Sequence, residues 1–140
     1  MKKSASQLRQ AIVALERQRK SQVEYLLGER GPLRAGSFVR VRRKCGKPNC
    51  HCAQGEGHQS AYLSVKHEGR TRMIYVPKEL EVLWEKEAER YRRFRTHRAK
   101  LVKLFEEQLR LVDQLQRSLA PAQDRSAANS PRSRKNKPKR

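Results

Sequence analysis

Apolar residues recur along the first segment at Leu8, Ile12, Leu15, Val23 and Leu26, a spacing that lays them mostly on one stripe of an α-helix. Arg9, Glu16, Arg17, Lys20 and Glu24 fall largely off that stripe. Ser4, followed three residues on by Gln7, forms a capping box, and Gly28 marks the stop. The pattern therefore predicts an amphipathic helix over roughly Ser4 to Leu27 that needs a partner. Glu29 to Gly36, with two glycines and Pro32, reads as a linker.

From Ser37 to Val76 the period changes to two. Phe38-Val39-Arg40-Val41-Arg42 alternates, and Tyr62 to Lys66 and Thr71 to Val76 flank a turn carrying Gly69. A register symmetric about Glu68-Gly69 pairs Leu63 with Ile74 and Ala61 with Val76 on one, apolar face. The other face receives Tyr62 opposite Tyr75, Ser64 opposite Met73 and Lys66 opposite Thr71. That is the expectation for a small antiparallel sheet covered on one side.

Pro77 suits a helix start, with Glu79 and Glu81 near the positive end of the dipole, and Pro121 ends the pattern. The helix so predicted has about 43 residues and a length of roughly 64 Å. With Trp84, Tyr91, Arg98, Phe105, Val112 and Leu119 as heptad position a, position d holds Glu87, Phe94, Leu101, Gln108 and Leu115. Ala88, Val102 and Leu109 at e and Leu83, Leu104 and Leu111 at g widen the stripe beyond what one partner helix covers. An intramolecular hairpin with the first helix and a homodimeric coiled coil both satisfy this pattern. The expected fold is α+β: a three-stranded antiparallel zinc-stapled sheet flanked by an N-terminal helix and a long coiled-coil-like C-terminal helix. Its expected parts are residues 1–28 (first helix), 34–77 (β module), 78–120 (long helix) and 121–140 (a disordered basic tail with no acid from Arg125 onward).

Composition narrows the function. Only 36% of the 140 residues are apolar and 34% are charged, so the core is modest and a large catalytic cleft is excluded. A net charge of +20 favours a polyanionic partner. Met1-Lys2-Lys3 leads into no apolar signal region and no stretch is long enough to span a bilayer, so the expectation is a cytoplasmic protein without a membrane partner. Paired-carboxylate, phosphate-loop and serine-nucleophile signatures are missing, and the expected protein is not an enzyme.

Three cysteines within eight residues suit metal ligation better than a disulfide framework. Cys45, Cys50, Cys52 and His58, spaced C-x4-C-x-C-x5-H, offer three thiolates and an imidazole, a closed tetrahedral set for structural zinc. His51, between two of the cysteines, competes as fourth ligand with harder geometry.

The run Cys45-Gly-Lys-Pro-Asn-Cys50-His-Cys52, then Gly55-Glu-Gly-His58, Tyr62-Leu63-Ser64, Arg70-Thr-Arg and Tyr75-Val76-Pro77-Lys78-Glu79, resembles a family of short prokaryotic proteins of unknown function. Their CGKPxCxC motif leads into a G-x-x-H-G-P-Y hairpin, a YVPKE-like segment and a long helix. The resemblance covers Arg34 to Tyr91, and this chain departs from it at His58-Gln59-Ser60-Ala61-Tyr62, where the family has His-Gly-Pro-Tyr. Such proteins are often encoded near transposases of mobile elements, which implies an accessory role in DNA transactions with a transposase or recombinase as partner.

Charge placement adds a candidate nucleic-acid surface. Seven Lys or Arg and no acid lie between Arg30 and Cys50, and seven more without an acid between Arg90 and Lys103. Arg40, Arg42, Arg43, Lys44, Lys47, Tyr62, Lys66, Arg92, Arg93 and Arg95 are the candidate contacts: cations for phosphates and an aromatic ring for stacking. The alternative is that the tyrosines pack under the long helix. The leading expectation is a nucleic-acid-binding accessory protein, DNA before RNA; the other is a coiled-coil protein-interaction adaptor with a structural zinc module.

Overall fold

The computed structural model describes residues 1–122. In chain order its elements are α1 (Ala5–Gly28), β1 (Ser37–Arg43), a 3-10 turn (His51–Gln54), β2 (His58–His67), β3 (Arg70–Val76), a second 3-10 turn (Lys78–Leu80) and α2 (Glu81–Leu119). This is the α+β order that the hydrophobic pattern predicts. The elements fall into two compact units: Gln22–Leu101, and Met1–Ser21 with the described chain from Val102 to Ala122. The basic segment from Arg125 lies outside the described residues.

Within Gln22–Leu101 the sheet is antiparallel with strand order β1-β2-β3. Its hairpin closes at Glu68 (φ 50°) and Gly69 (φ 75°), two consecutive left-handed residues whose twist matches that of the flanking strands. The turn sets the register that the sequence predicts: Ala61 pairs with Val76, Tyr62 with Tyr75, Leu63 with Ile74 and Lys66 with Thr71. On the other side of β2, Phe38 lies opposite Leu63, Arg40 opposite Ala61 and Arg43 opposite His58. Ala61, Leu63 and Val76 form the buried core with Ala88 of α2, and Phe38, Val65, Leu80 and Trp84 pack around it. Ile74 departs from the expected apolar face, being 43% exposed. It sits on the edge strand β3, whereas Phe38 and Val65 draw the core toward β1 and β2.

The long helix starts later than predicted and has 39 residues. Pro77 does not open it directly: the Leu80 amide donates to the Pro77 carbonyl (2.9 Å), closing a 3-10 turn that carries Leu80 to the core. The segment before β1 forms no regular element yet is strapped to α2. Glu29 accepts from the amides of Arg30 and Gly31 (both 3.1 Å) and pairs with Arg90 (3.1 Å), while Arg90 donates to the Pro32 carbonyl (3.1 Å). The Arg34 amide donates to the Glu87 carbonyl (3.2 Å), and its guanidinium pairs with the Glu87 carboxylate (2.6 Å) and lies 3.9 Å from the Trp84 ring. Glu87, a break in the predicted seam, is buried with this partner. In the same unit His97 stacks on Tyr25 at 3.5 Å, with Nδ1 2.7 Å from the Gln22 Oε1.

In the other unit α1 begins with the expected capping box: the Ser4 amide donates to Gln7 (2.9 Å) and the Gln7 amide to Ser4 Oγ (3.2 Å). Leu8 and Leu111 are buried. Arg19 pairs with Glu16 (2.7 Å) and lies 3.7 Å from the Phe105 ring, while Gln108 donates to Glu16 (2.9 Å). Polar residues thus fill the gap between Leu15 and Val23 in the apolar stripe of α1. The strict heptad reading of α2 needs correction here. Positions a at Phe105, Val112 and Leu119 are 43%, 42% and 57% exposed, whereas Leu111 at g is buried. A seven-residue repeat drifts by about 20° per heptad on a straight helix, so a seam assigned by heptads leaves the contact face along α2. Among the described residues no helix is long and apolar enough to cross a membrane.

Candidate metal centre

The β1–β2 connection gathers Cys45, Cys50, Cys52 and His58 so that one ligand atom of each lies within 4.8 Å of all the others. Cys45 follows the end of β1, Cys50 precedes the 3-10 turn, Cys52 lies inside that turn and His58 opens β2. Local hydrogen bonds shape the loop: the Cys50 amide donates to the Lys47 carbonyl (3.2 Å), Ala53 to Cys50 (3.0 Å) and Gly55 to Cys52 (3.2 Å). Gly57 (φ 91°) permits the final closure. A Cβ there would lie 2.5 Å from the Arg43 carbonyl carbon and 2.8 Å from the Lys44 nitrogen, so only glycine lets the chain pass against the end of β1 and deliver His58.

Cys45 Sγ and Cys52 Sγ are 3.3 Å apart, and Cys50 Sγ is 3.2 Å from His58 Nε2. Bonds of about 2.3 Å to sulfur and 2.0 Å to nitrogen in a tetrahedron put ligand atoms roughly 3.5–3.8 Å apart, close to this spacing. His51 is not part of the group; its Nδ1 is 3.9 Å from Cys50 Sγ and its ring meets that of His58 edge-on at 5.3 Å. Cys52 is buried, and its sulfur also accepts from the Cys45 amide (3.4 Å). The Lys47 amide, then the Cys52 and His58 side chains, pull the Cys45 thiol down to about 6, favouring the thiolate that a metal requires. For Cys52 the largest influence, the Cys45 amide, lowers the pKa, but burial and the neighbouring thiols outweigh it and leave it raised. Three sulfurs and one imidazole nitrogen converging in this way could hold a metal ion, and the donor set is one that zinc accepts.

The candidate nucleic-acid residues have separate fates. Arg40 forms a bidentate pair with Glu85 of α2 (2.9 and 3.0 Å), which raises its pKa and holds the Glu85 carboxyl below its usual range. Arg42 lies 3.5 Å from Glu56, and Arg92 pairs with Glu89 (2.6 Å). For Arg40 and Arg42 the acids missing from the neighbouring sequence therefore arrive from α2 and the Cys/His loop, whereas Arg92 meets one a turn before it on its own helix. Lys44 donates to the Ala53 carbonyl (3.2 Å), and Lys47, Lys66, Arg93 and Arg95 are exposed. The Arg43 guanidinium is 5.9 Å from the Tyr62 ring centroid. Tyr62 and Tyr75 meet edge-on at 5.9 Å on the face opposite the buried core. The Arg34–Glu87 pairing escaped the sequence reading; an acid at the seam position Glu87 was the one signal that a cation must come to meet it.

No curated protein and no solved structure matches the chain. The family described as a domain of unknown function, DUF6788, matches residues 6–90, a span that takes in α1, the whole sheet, the Cys/His cluster and the first turns of α2. With more than half its length so matched, the chain belongs to the DUF6788 family.

Proposed function

We propose that the chain is a nucleic-acid-binding accessory protein, with DNA as its target, and that Cys45, Cys50, Cys52 and His58 hold zinc as a structural staple. The observation that carries the reading is a set of exposed cations on α2, Arg93, Arg95, Arg98 and Lys100, none of which forms an ion pair among the described residues; Arg93 alone lies within reach of an acid, Glu89, which is already paired with Arg92. Like charge left unrelieved costs self-repulsion, which a polyphosphate removes while releasing its counterions. Arg40, Arg42 and Arg92, engaged by acids, serve the fold instead. Four protein ligands leave the metal no open position, so the reading gives it no catalytic step. A larger recombinase or transposase is the partner suggested by the genomic setting of proteins that this sequence resembles.

Duplex binding measured across salt concentrations tests the reading. Replacing Arg93, Arg95, Arg98 and Lys100 together with glutamine should reduce the slope of log affinity against log salt by about 3–4. The seven cations of Arg125 to Arg140 can account for no more than ~6 units when that segment is deleted. A slope unchanged by the four glutamines would reject the α2 surface, and no binding to any nucleic acid at low salt would reject the reading whole.

A second reading, a coiled-coil adaptor, is favoured by the exposed apolar stripe Val102, Phe105, Leu109 and Val112 on α2. A partner helix laid on that stripe would be held by contacts that change little with salt.

A further inference from the structure

The sheet has one face against the core and one that faces away from it. On the outward face Tyr62 and Tyr75 lie directly opposite one another on β2 and β3, with Met73 and Val39 beside them. Tyr75 is 57% and Met73 47% exposed. Arg43 at one end of this face and Lys66 at the other are both exposed, and no acidic residue occupies any of its strand positions. Neither tyrosine is needed by the buried core or the metal cluster.

Three observations select the occupant. Cations at both ends and no acids make the face complementary to a polyanion and repellent to a second copy of a chain of charge +20. Strands of seven to ten residues spaced about 4.8 Å apart give a face of roughly 400 Å², about half the ~800 Å² that each partner of a stable protein pair contributes. Aromatic rings on adjacent strands can stack on bases only where those bases are splayed out of a duplex.

We infer that this face is a stacking platform for single-stranded DNA, in which Tyr62 and Tyr75 take the faces of bases while Arg43 and Lys66 take the phosphates to either side. The inference rests on the nucleic-acid reading and adds to it the form of the ligand. Recognition is tolerant of sequence, because every base has a π-face.

The test uses the full chain and a fluorescein-labelled oligo(dT), a duplex and an oligo(rU) of equal length, read by anisotropy at raised salt, where phosphate contacts are suppressed and stacking persists. Tyr62→Ala and Tyr75→Ala should each weaken oligo(dT) binding about 5- to 150-fold while changing duplex binding less than about twofold. Tyr75→Phe, which keeps the ring, should restore the affinity. Circular dichroism and metal content matching the wild type show that the fold survives the substitutions. Alanine variants that bind oligo(dT) like the wild type, or lose single strand and duplex equally, overturn the platform and leave the nucleic-acid reading standing. Tighter binding of oligo(rU) overturns the choice of DNA, and a wild-type chain that binds none of the three probes removes both inferences together.

Discussion

At the scale of single residues, the Cys/His cluster and the Arg34 strap make the sharpest demands. Replacing Cys50 with serine leaves three donors around a site built for four. The wild-type chain is expected to carry one zinc, and Cys50→Ser to lose zinc and the β1–β2 pairing together. Metal analysis of protein made under reducing, zinc-replete conditions, with circular dichroism beside it, reads both. A zinc-free wild type with an intact sheet would overturn the staple. Arg34 holds the buried Glu87 carboxylate and covers Trp84, so Arg34→Ala strands a charge in a poorly hydrated place. The expected cost is about 2–3 kcal/mol in urea unfolding, and Glu87→Gln in the same background should recover part of it, since it removes the stranded charge. Of these features the cluster was legible because its four residues lie within fourteen positions of sequence. Arg34 and Glu87 are 53 residues apart, and nothing local announces their pairing.

Between elements, the Arg40–Glu85 pair ties β1 to α2 and gives stability a pH dependence. Hydrogen bonds from Arg40 hold the folded-state pKa of Glu85 below its ordinary value of 4.5. The unfolded chain therefore takes up this proton more readily. The pair's contribution is present above about pH 4.5 and fades as pH falls through the folded-state value. The quantity to measure is the difference between wild type and Glu85→Gln, which isolates this carboxylate: wild-type stability should fall more steeply below that pH, and parallel curves would count against the pair. A further prediction concerns α2, whose stripe of Val102, Phe105, Leu109 and Val112 is suited to a partner helix. Light scattering at tens of micromolar should give a dimer, and Leu109→Lys a monomer of unchanged helicity; a monomeric wild type with full helicity would show that the stripe pairs no chains. The hairpin register was legible to the residue because a two-residue turn and alternating side chains leave one solution. The helix seam was less so, since a heptad count cannot tell which partner a wide stripe chooses.

For the whole molecule, a charge of +20 on a modest core made a polyanionic partner the natural expectation. What composition could not convey is how many of those cations are already engaged. Arg34, Arg40, Arg42, Arg90 and Arg92 all meet acids, several of them more than forty residues away, so counting charge along the chain overstates the surface available to phosphates. The segment from Glu29 to Gly36 carries a related lesson. Its glycines and proline mark it in sequence as a linker, yet the Gly31 amide donates to Glu29, which pairs with Arg90, and the Arg34 amide is bonded to α2. Tolerance of insertion follows the bonding and burial of the backbone rather than its composition. A reporter domain spliced between Arg30 and Gly31 should prevent this part of the chain from assembling, whereas the same domain inserted between Glu68 and Gly69, where no neighbouring atom approaches the glycine, has room to be carried.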